Sequence, residues 1–220
     1  MFSYYGSKSK IVKRYPKPIH NTIIEPFAGS ARYALEYWEK EVILIDKYEP
    51  IYNVWKYLQN ASKEDILSLP EIPPSTELMT IDGFKNLSSP EKNLIGFCSN
   101  RGSNMPKNFS GKFCNFDRDK KRISESLHKI KHWDIRIGDY HDVENLKSTW
   151  YIDPPYEKMG KLYKESNIDY EDLSNYCKTR NGQVIVCEND GATWLDFKPL
   201  VELAGQRKMS KEVFWYKENN

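Results

Sequence analysis

Residues 22–46 read TIIEPFAGSARYALEYWEKEVILID, and this stretch decides the fold. Thr22–Glu25 is a short apolar run, and Pro26–Ala31 is a turn of small residues. Arg32–Lys40 reads as a helix, and Glu41–Asp46 is a second apolar run that closes on an acid. A parallel strand buried on both faces appears as such a continuous run, not as an alternation. The turn lets backbone approach a ligand at the start of the helix. Asp46 ends the next strand about 20 residues on, where nucleotide-type sites grip a pair of ribose hydroxyls. A lone PFAG is equally an ordinary strand-to-helix turn, whereas strand, glycine turn, helix, strand and acid in sequence are far more specific.

The α/β texture continues downstream. Ile51, Val54, Trp55 and Leu58 recur at helical spacing. Residues 60–132 differ. Ser62 caps a short helix, Pro70, Pro73 and Pro74 interrupt the chain, and Pro90 opens a helix carrying Leu94, Ile95 and Phe97. Asn100–Phe116, rich in Gly, Asn and Lys, reads as a loop or irregular hairpin, and Asp119–Lys131 as a helix. Strands return at Trp133–Ile137, Ser148–Ile152 and Gln183–Cys187. Glu212–Tyr216 is expected to pair with Pro199–Leu203 through a turn at Gly205–Ser210. The simplest architecture is an α/β scaffold from residues 1–59 and 133–220, interrupted by an irregular insertion at 60–132.

Composition bounds the function. The 220 residues hold 39% hydrophobic and 14% aromatic side chains, enough for a core. The net charge of +2 excludes a histone-like polycation and an acidic tail. No apolar run of about 18 residues predicts a membrane span. The basic, polar first 20 residues lack the apolar stretch of a secretion signal. Cys98, Cys114, Cys177 and Cys187 show no CxxC spacing, so a cytoplasmic setting is expected and no cysteine metal site. His128 and His132 stand four apart without an evident third ligand, which favours a solvated face over a metal pair.

The chemistry concentrates at Ile152-Asp-Pro-Pro-Tyr156. An apolar strand delivers an acid, two prolines and an aromatic ring at its carboxyl end, where open parallel sheets bind ligands. Pro154 and Pro155 fix two φ angles and remove two N–H donors. An acid, an accepting carbonyl and an aromatic face suit a flat base bearing an amino group. The plain alternative is a strand-end turn with an exposed acid. Tyr4-Tyr-Gly-Ser-Lys8, taken alone, reads as a basic N-terminus.

Together, YYGSK before the first strand, EPFAGSA on it and IDPPY after an insertion resemble the Dam-like adenine-specific DNA methyltransferases. The resemblance spans most of the chain. It implies a class I S-adenosylmethionine (Rossmann-like) fold, a mostly parallel sheet with a terminal antiparallel strand, interrupted by a target-recognition insertion. It implies S-adenosylmethionine as cofactor and duplex DNA with a flipped adenine as partner, for a chain acting as a monomer. Tyr4 and Lys8 match the family's cofactor contacts, and Asp46 its ribose-binding acid. Glu25, Phe27 and Gly29 match the methionine end, and Asp139-Tyr140 the cofactor's adenine, with Asp142 as a competitor. Asp153 matches the catalytic acid beside cofactor and target, within a catalytic set of Asp153, Pro154, Pro155 and Tyr156. One departure stands out: Ala31 occupies the usual second glycine of the turn.

Asn100–Lys131 carries nine Lys/Arg against Asp117, Asp119 and Glu125, a net of +6, while the rest of the chain is acidic. Basic residues interleaved with Phe109, Phe113 and Phe116 suit a phosphate backbone. Arg101, Lys107, Lys112, Arg118, Lys120, Lys121 and Arg122 are the expected DNA contacts, with Arg101 reading a base and Lys120–Arg122 clamping phosphates. A solvated basic face is the bland alternative. Two other functions compete: an RNA base methyltransferase, since DPPY-type motifs also serve guanine amino groups, and a catalytically silent DNA-binding relative. Recognition sequence and biological role (lone methylase, restriction partner or phage enzyme) are not set by these residues.

Overall fold

The computed structural model describes residues 1–2, 4, 6–72, 78–100, 107–110, 115–158, 167–204 and 209–219. Its main sheet has seven strands: β1 (Thr22–Glu25), β2 (Glu41–Asp46), β5 (Asp134–Ile137), β6 (Ser148–Ile152), β7 (Gly182–Asn189), β8 (Lys198–Ala204) and β9 (Met209–Glu218). Their order is β5-β2-β1-β6-β7-β9-β8. β1 pairs in parallel with β2 and β6, and β6 with β7, whereas β9 runs antiparallel to both β7 and β8. The order reverses between β1 and β6, which makes their carboxyl ends the natural ligand crevice of an open sheet. The limits of β1, β2 and β6 coincide with the apolar runs read from the sequence.

The chain divides into two compact units. One comprises residues 8–48 and 136–220, the other residues 1–7 and 49–135. In the first, every residue of β6 is buried because both faces are covered. Trp150 and Ile152 join Leu173, Tyr176 and Cys177 of α6 (Tyr170–Thr179) and Val184 and Val186 of β7 in one apolar cluster. Tyr151, pointing the other way, stacks on Tyr33 of α1 (Arg32–Glu36) with centroids 4.3 Å apart. α1 is shorter than the helix expected over 32–40. Tyr37 packs on Tyr33, and four residues remain in which to turn into β2.

The second unit holds α2 (Glu49–Asn60), α3 (Lys63–Leu67), α4 (Ser89–Ser99) and α5 (Phe116–Ser124). Ile51, Val54, Trp55 and Leu58 are the buried face of α2, as their spacing predicts. Ser62 caps α3 in a reciprocal box with Asp65. Phe2 packs on Trp55 and Phe97, and Trp55 on Trp133, so the first residues of the chain belong to this core. A small antiparallel pair, β3 (Leu78–Thr80) with β4 (Asn108–Ser110), had no legible counterpart beyond the expected hairpin. The helix expected over 119–131 starts earlier and stops earlier. The Asn115 side chain accepts the Arg118 N–H and starts α5 at Phe116. Ser124 and Ser126 hydroxyls turn back onto the Lys121 and Arg122 carbonyls, and the chain continues as a 3-10 turn over Leu127–Ile130. The expected turn at Gly205–Ser210 lies largely outside the described residues.

Ala31 is the one non-glycine residue among those described with positive φ, at φ 45° and ψ 49°. The left-handed region costs an L-residue roughly 1–2 kcal/mol, and glycine escapes that cost. The position where the motif departs from glycine is therefore the position whose backbone asks for one. Ala31→Gly is expected to raise stability by up to about 1 kcal/mol, the relieved strain being partly offset by a more flexible unfolded chain. Thermal unfolding checks this, and a loss of about 1 kcal/mol or more would mean that the turn carries no strain.

Candidate active site

Three acids stand at the carboxyl ends of adjacent parallel strands. Glu25 is the last residue of β1, Asp46 the last of β2, and Asp153 follows β6 directly. The Asp46 carboxylate organises the glycine turn, accepting the Gly29 N–H at 2.9 Å and the Tyr48 N–H at 2.8 Å. Glu25 is 2% exposed and accepts the Ala34 N–H in the first turns of α1 at 2.5 Å. Burial pushes its carboxyl up to about 8, against the pull of that N–H; the negative charge of Asp153 adds to the rise. The half-buried Phe27 ring lies 5.4 Å from Tyr140 at 31°.

Asp139 and Tyr140 follow β5. Asp139 caps a short 3-10 turn, with its own N–H on Asp142, and pairs with Lys47 at 3.2 Å. Tyr140 is buried and donates to Asp172 of α6. Asp142, the competing acid, thus serves the turn that presents Asp139 and Tyr140. Tyr4 belongs to the other unit, half-buried, with its ring edge-on to Phe97 at 5.5 Å; Tyr5 of the same motif lies outside the described residues.

The DPPY turn is built on a buried ionic cluster. The Lys8 ammonium is 2.9 Å from Asp153 Oδ1 and 3.5 Å from Glu212 Oε1, and sits 4.7 Å over the Tyr156 ring. Glu212 also accepts from the hydroxyls of Tyr156 and Tyr15, the latter at 3.0 Å. Burial pushes the Glu212 carboxyl above the ordinary carboxylate range, and the Lys8 charge opposes that push. Burial works against the Lys8 charge, but Asp153 and Glu212 outweigh it and hold the ammonium protonated above the ordinary lysine value. Burial, first, and then the negative charges of Asp153 and Glu212 raise the Tyr156 phenol well above its ordinary value, so it remains a donor. Pro154 and Pro155 are buried. The Pro155 carbonyl accepts the Tyr170 hydroxyl at 2.7 Å, while among the described residues no donor reaches the Pro154 carbonyl. Beyond the turn, the Glu157 N–H and the Trp194 indole both donate to Glu188 of β7.

Glu212 and Tyr15 stand outside the residues to which the sequence pattern points. The available signal for Glu212 was an acid leading an apolar strand, in Glu212-Val-Phe-Trp-Tyr216. Glu188 lies in Cys187-Glu-Asn-Asp190, a stretch after the buried strand that reads either as shaping the target pocket or as merely turning the chain.

The basic segment divides by contact. Arg101 and Lys112 lie outside the described residues. Lys107, Arg118 and Lys121 are exposed. Lys120 is 6% exposed, with its ammonium 2.8 Å from the Leu69 carbonyl and 3.0 Å from Asp117. The Arg122 guanidinium reaches Asp119 at 2.9 Å and the Met1 carbonyl at 3.0 Å. The Lys120–Arg122 run therefore supplies two internal braces and one outward-facing charge.

Seven strands in this order, closed by an antiparallel strand and with acids at the ends of β1, β2 and β6, define a class I methyltransferase fold. A family model for D12 class N6 adenine-specific DNA methyltransferases matches residues 4–190, and the chain belongs to that family. The match favours DNA over the RNA reading and an enzyme over a silent relative, so the reaction is methylation of adenine in DNA. No curated protein matches the chain in a sequence search. Among the described residues no helix is long and apolar enough to cross a membrane.

Glu25 gives a testable pH dependence. Its carboxyl is raised to about 8 when folded, from an ordinary value near 4.5 when unfolded. Between those values the folded chain holds a proton that the unfolded chain has lost, so stability falls as pH rises through this window. The slope attributable to Glu25 is about 1 kcal/mol per pH unit. Glu25→Gln keeps an acceptor for the Ala34 N–H and should flatten the decline between about pH 5 and about pH 8. Denaturant melts across that range provide the check, and parallel declines in both proteins would remove Glu25 as the cause.

Proposed function

We propose that the chain transfers the methyl group of S-adenosylmethionine to the exocyclic amino group of an adenine flipped out of duplex DNA within a specific sequence. The observation that carries this reading is Asp153, held at the carboxyl end of β6 where the strand order reverses, inside the family's DPPY motif. The residues present suit such a cofactor. An acid ends β2 for the ribose hydroxyls, the Phe27 and Tyr140 rings offer apolar faces for an adenine, and the Glu25 carboxyl that ends β1 can accept a hydrogen bond from the methionine ammonium. Asp46, Glu25, Phe27, Gly29, Asp139, Tyr140 and, from the first motif, Tyr4 and Lys8 would hold it. When bound, S-adenosylmethionine supplies an electrophilic methyl on a sulfonium.

The residues of this chain do the rest. An adenine amino group is a poor nucleophile because its lone pair is delocalised into the ring. Asp153 and the Pro154 carbonyl each accept one N–H, which favours a pyramidal nitrogen with its lone pair directed outward. Alignment for in-line displacement is then the main catalytic resource. Positive charge grows on the nitrogen, and Asp153 stabilises it. Extracting the base costs a few kcal/mol, and stacking on an aromatic such as Tyr156 returns roughly 1–3 kcal/mol. The Glu212 tether to the Tyr156 hydroxyl supports that role by fixing the ring.

Residues 1–59 and 133–220 are assigned to cofactor binding and catalysis, and residues 60–132 to target recognition. Phosphate contacts are assigned to Lys107, Arg118 and Lys121, with Arg101 as base reader and Lys112 beside it. Lys120 and Arg122 act chiefly by holding α5 in shape. A cytoplasmic setting fits the described cysteines Cys98, Cys177 and Cys187, which are buried free thiols, and the chain is assigned to act as a monomer.

Three measurements test the reading. Asp153→Ala should abolish methyl transfer to unmethylated DNA, and near-normal turnover would overturn the mechanism. Asp46→Ala should weaken cofactor binding more than tenfold, a charged acceptor being worth about 1.5–3 kcal/mol; wild-type affinity by calorimetry would remove Asp46 from the site. Replacing Arg118 and Lys121 with Ala should flatten the log–log salt dependence of DNA binding by about 0.9 per lost contact. Lys120→Ala should instead lower stability, and an unchanged slope in the Arg118/Lys121 variant would leave those residues as a solvated face.

A further inference from the structure

We propose that Glu212, on β9 and beyond the segment matched by the family, is a positioning residue for methyl transfer: it shares the Lys8 ammonium with Asp153 and so keeps Asp153 electrostatically available to the target nitrogen. The inference rests on the assignment of Asp153 as the catalytic acid.

The argument is one of charge. Lys8 lies 2.9 Å from Asp153 and 3.5 Å from Glu212, and both Lys8 and Glu212 are buried. A lysine this close to Asp153 alone would form a neutral pair. Its ammonium would then cancel the field that Asp153 presents to a nitrogen acquiring positive charge, and would compete for the oxygen lone pairs that accept the target N–H groups. A second carboxylate changes the sum: one cation between two carboxylates leaves a net charge of −1, in surroundings where charge is weakly screened. Glu212 is itself held in place. Tyr15 and Tyr156 donate to its Oε1, and β9 registers Glu212 opposite Asn189 of β7 and Val201 of β8. The same tether fixes the plane of Tyr156, one of whose faces carries the Lys8 ammonium. Glu212 thus acts through two neighbours, Lys8 and Tyr156, without touching the reacting atoms.

A charge-balancing role and a merely structural one predict opposite behaviour in a double variant. Wild type, Glu212→Gln, Lys8→Met and the double variant are compared in single-turnover transfer from tritiated S-adenosylmethionine, at saturating cofactor, to unmethylated plasmid DNA. Calorimetry reports cofactor affinity, and thermal melts report folding. Glu212→Gln keeps an acceptor for the tyrosines but removes the second carboxylate from Lys8, leaving its ammonium paired with Asp153. Its transfer rate should fall about 100-fold, the scale of losing one preorganised electrostatic contact, with cofactor affinity changed by less than about threefold. Lys8→Met leaves two carboxylates side by side, which share a proton and also lose activity. The double variant removes one charge of each sign and restores an unpaired Asp153, so it should be faster than either single variant. A Glu212→Gln rate within about threefold of wild type overturns the proposal, as does a double variant slower than both singles. If Glu212→Gln fails to fold, Lys8→Met against the double variant decides alone, and a double variant no faster than Lys8→Met overturns it. A wild type silent on plasmid DNA would defeat the methyltransferase reading itself, a result distinct from these and one that removes both.

Discussion

One ammonium lying between two carboxylates is the constraint around which this molecule is arranged. Taking ions out of water costs several kcal/mol each unless their partners are held in good geometry. Lys8, Asp153 and Glu212 meet that condition only because three separate parts of the chain converge. Asp153 must leave the end of a central strand, Lys8 must be anchored before β1, and β9 must run antiparallel beside β7 to bring its acid alongside. The chain after Lys8 is fixed locally, with the Ile11 and Val12 N–H groups both on the Lys8 carbonyl. Strand β9 does more than extend the sheet, since it delivers the second carboxylate.

The neighbouring cradle shows the same trade between stability and local demand. Ala31 holds a left-handed conformation at the entrance to α1, and Glu25 keeps a carboxyl buried against that helix. Neither is what a chain selected for stability alone would place there. Glu25 closes β1 and Ala31 closes the turn that follows it, the turn whose Gly29 N–H is held by Asp46. Strain and buried polarity cluster at sites where the surrounding structure over-determines the backbone. Here the stacked Tyr33 and Tyr151 rings and the fully buried β6 supply that support.

The sequence disclosed the scaffold unevenly, for physical reasons. β1, β2 and β6 are legible to the residue, because a strand covered on both faces is a continuous apolar run bounded by turns or charges. α2 and the Ser62 cap are legible because helical spacing and capping chemistry are local. β3 and β4, with three residues each, are too short to carry any period. The ends of α5 depend on Asn115, Ser124 and Ser126 hydrogen-bonding the backbone, a competition that composition does not reveal. At the site, the acids at strand ends announced themselves through position in a pattern. Partnerships across the fold did not: nothing near Lys120 points to the Leu69 carbonyl, and nothing near Glu212 points to Lys8. Residue type is local information, whereas counter-charge is a property of the folded chain.

The position of β9 also bears on how the protein is made. A ribosome releases Lys8 first, Asp153 well over a hundred residues later, and Glu212 later still. Every parallel strand can therefore emerge and pair while the Lys8–Asp153 pair still lacks its second carboxylate. A nascent chain at that stage has the acids of β1 and β2 in place but carries the neutral pair that would blunt Asp153. Methylating competence would then wait for β9 to dock, so that chains not yet extended past Glu212 would be inert near the nucleic acid.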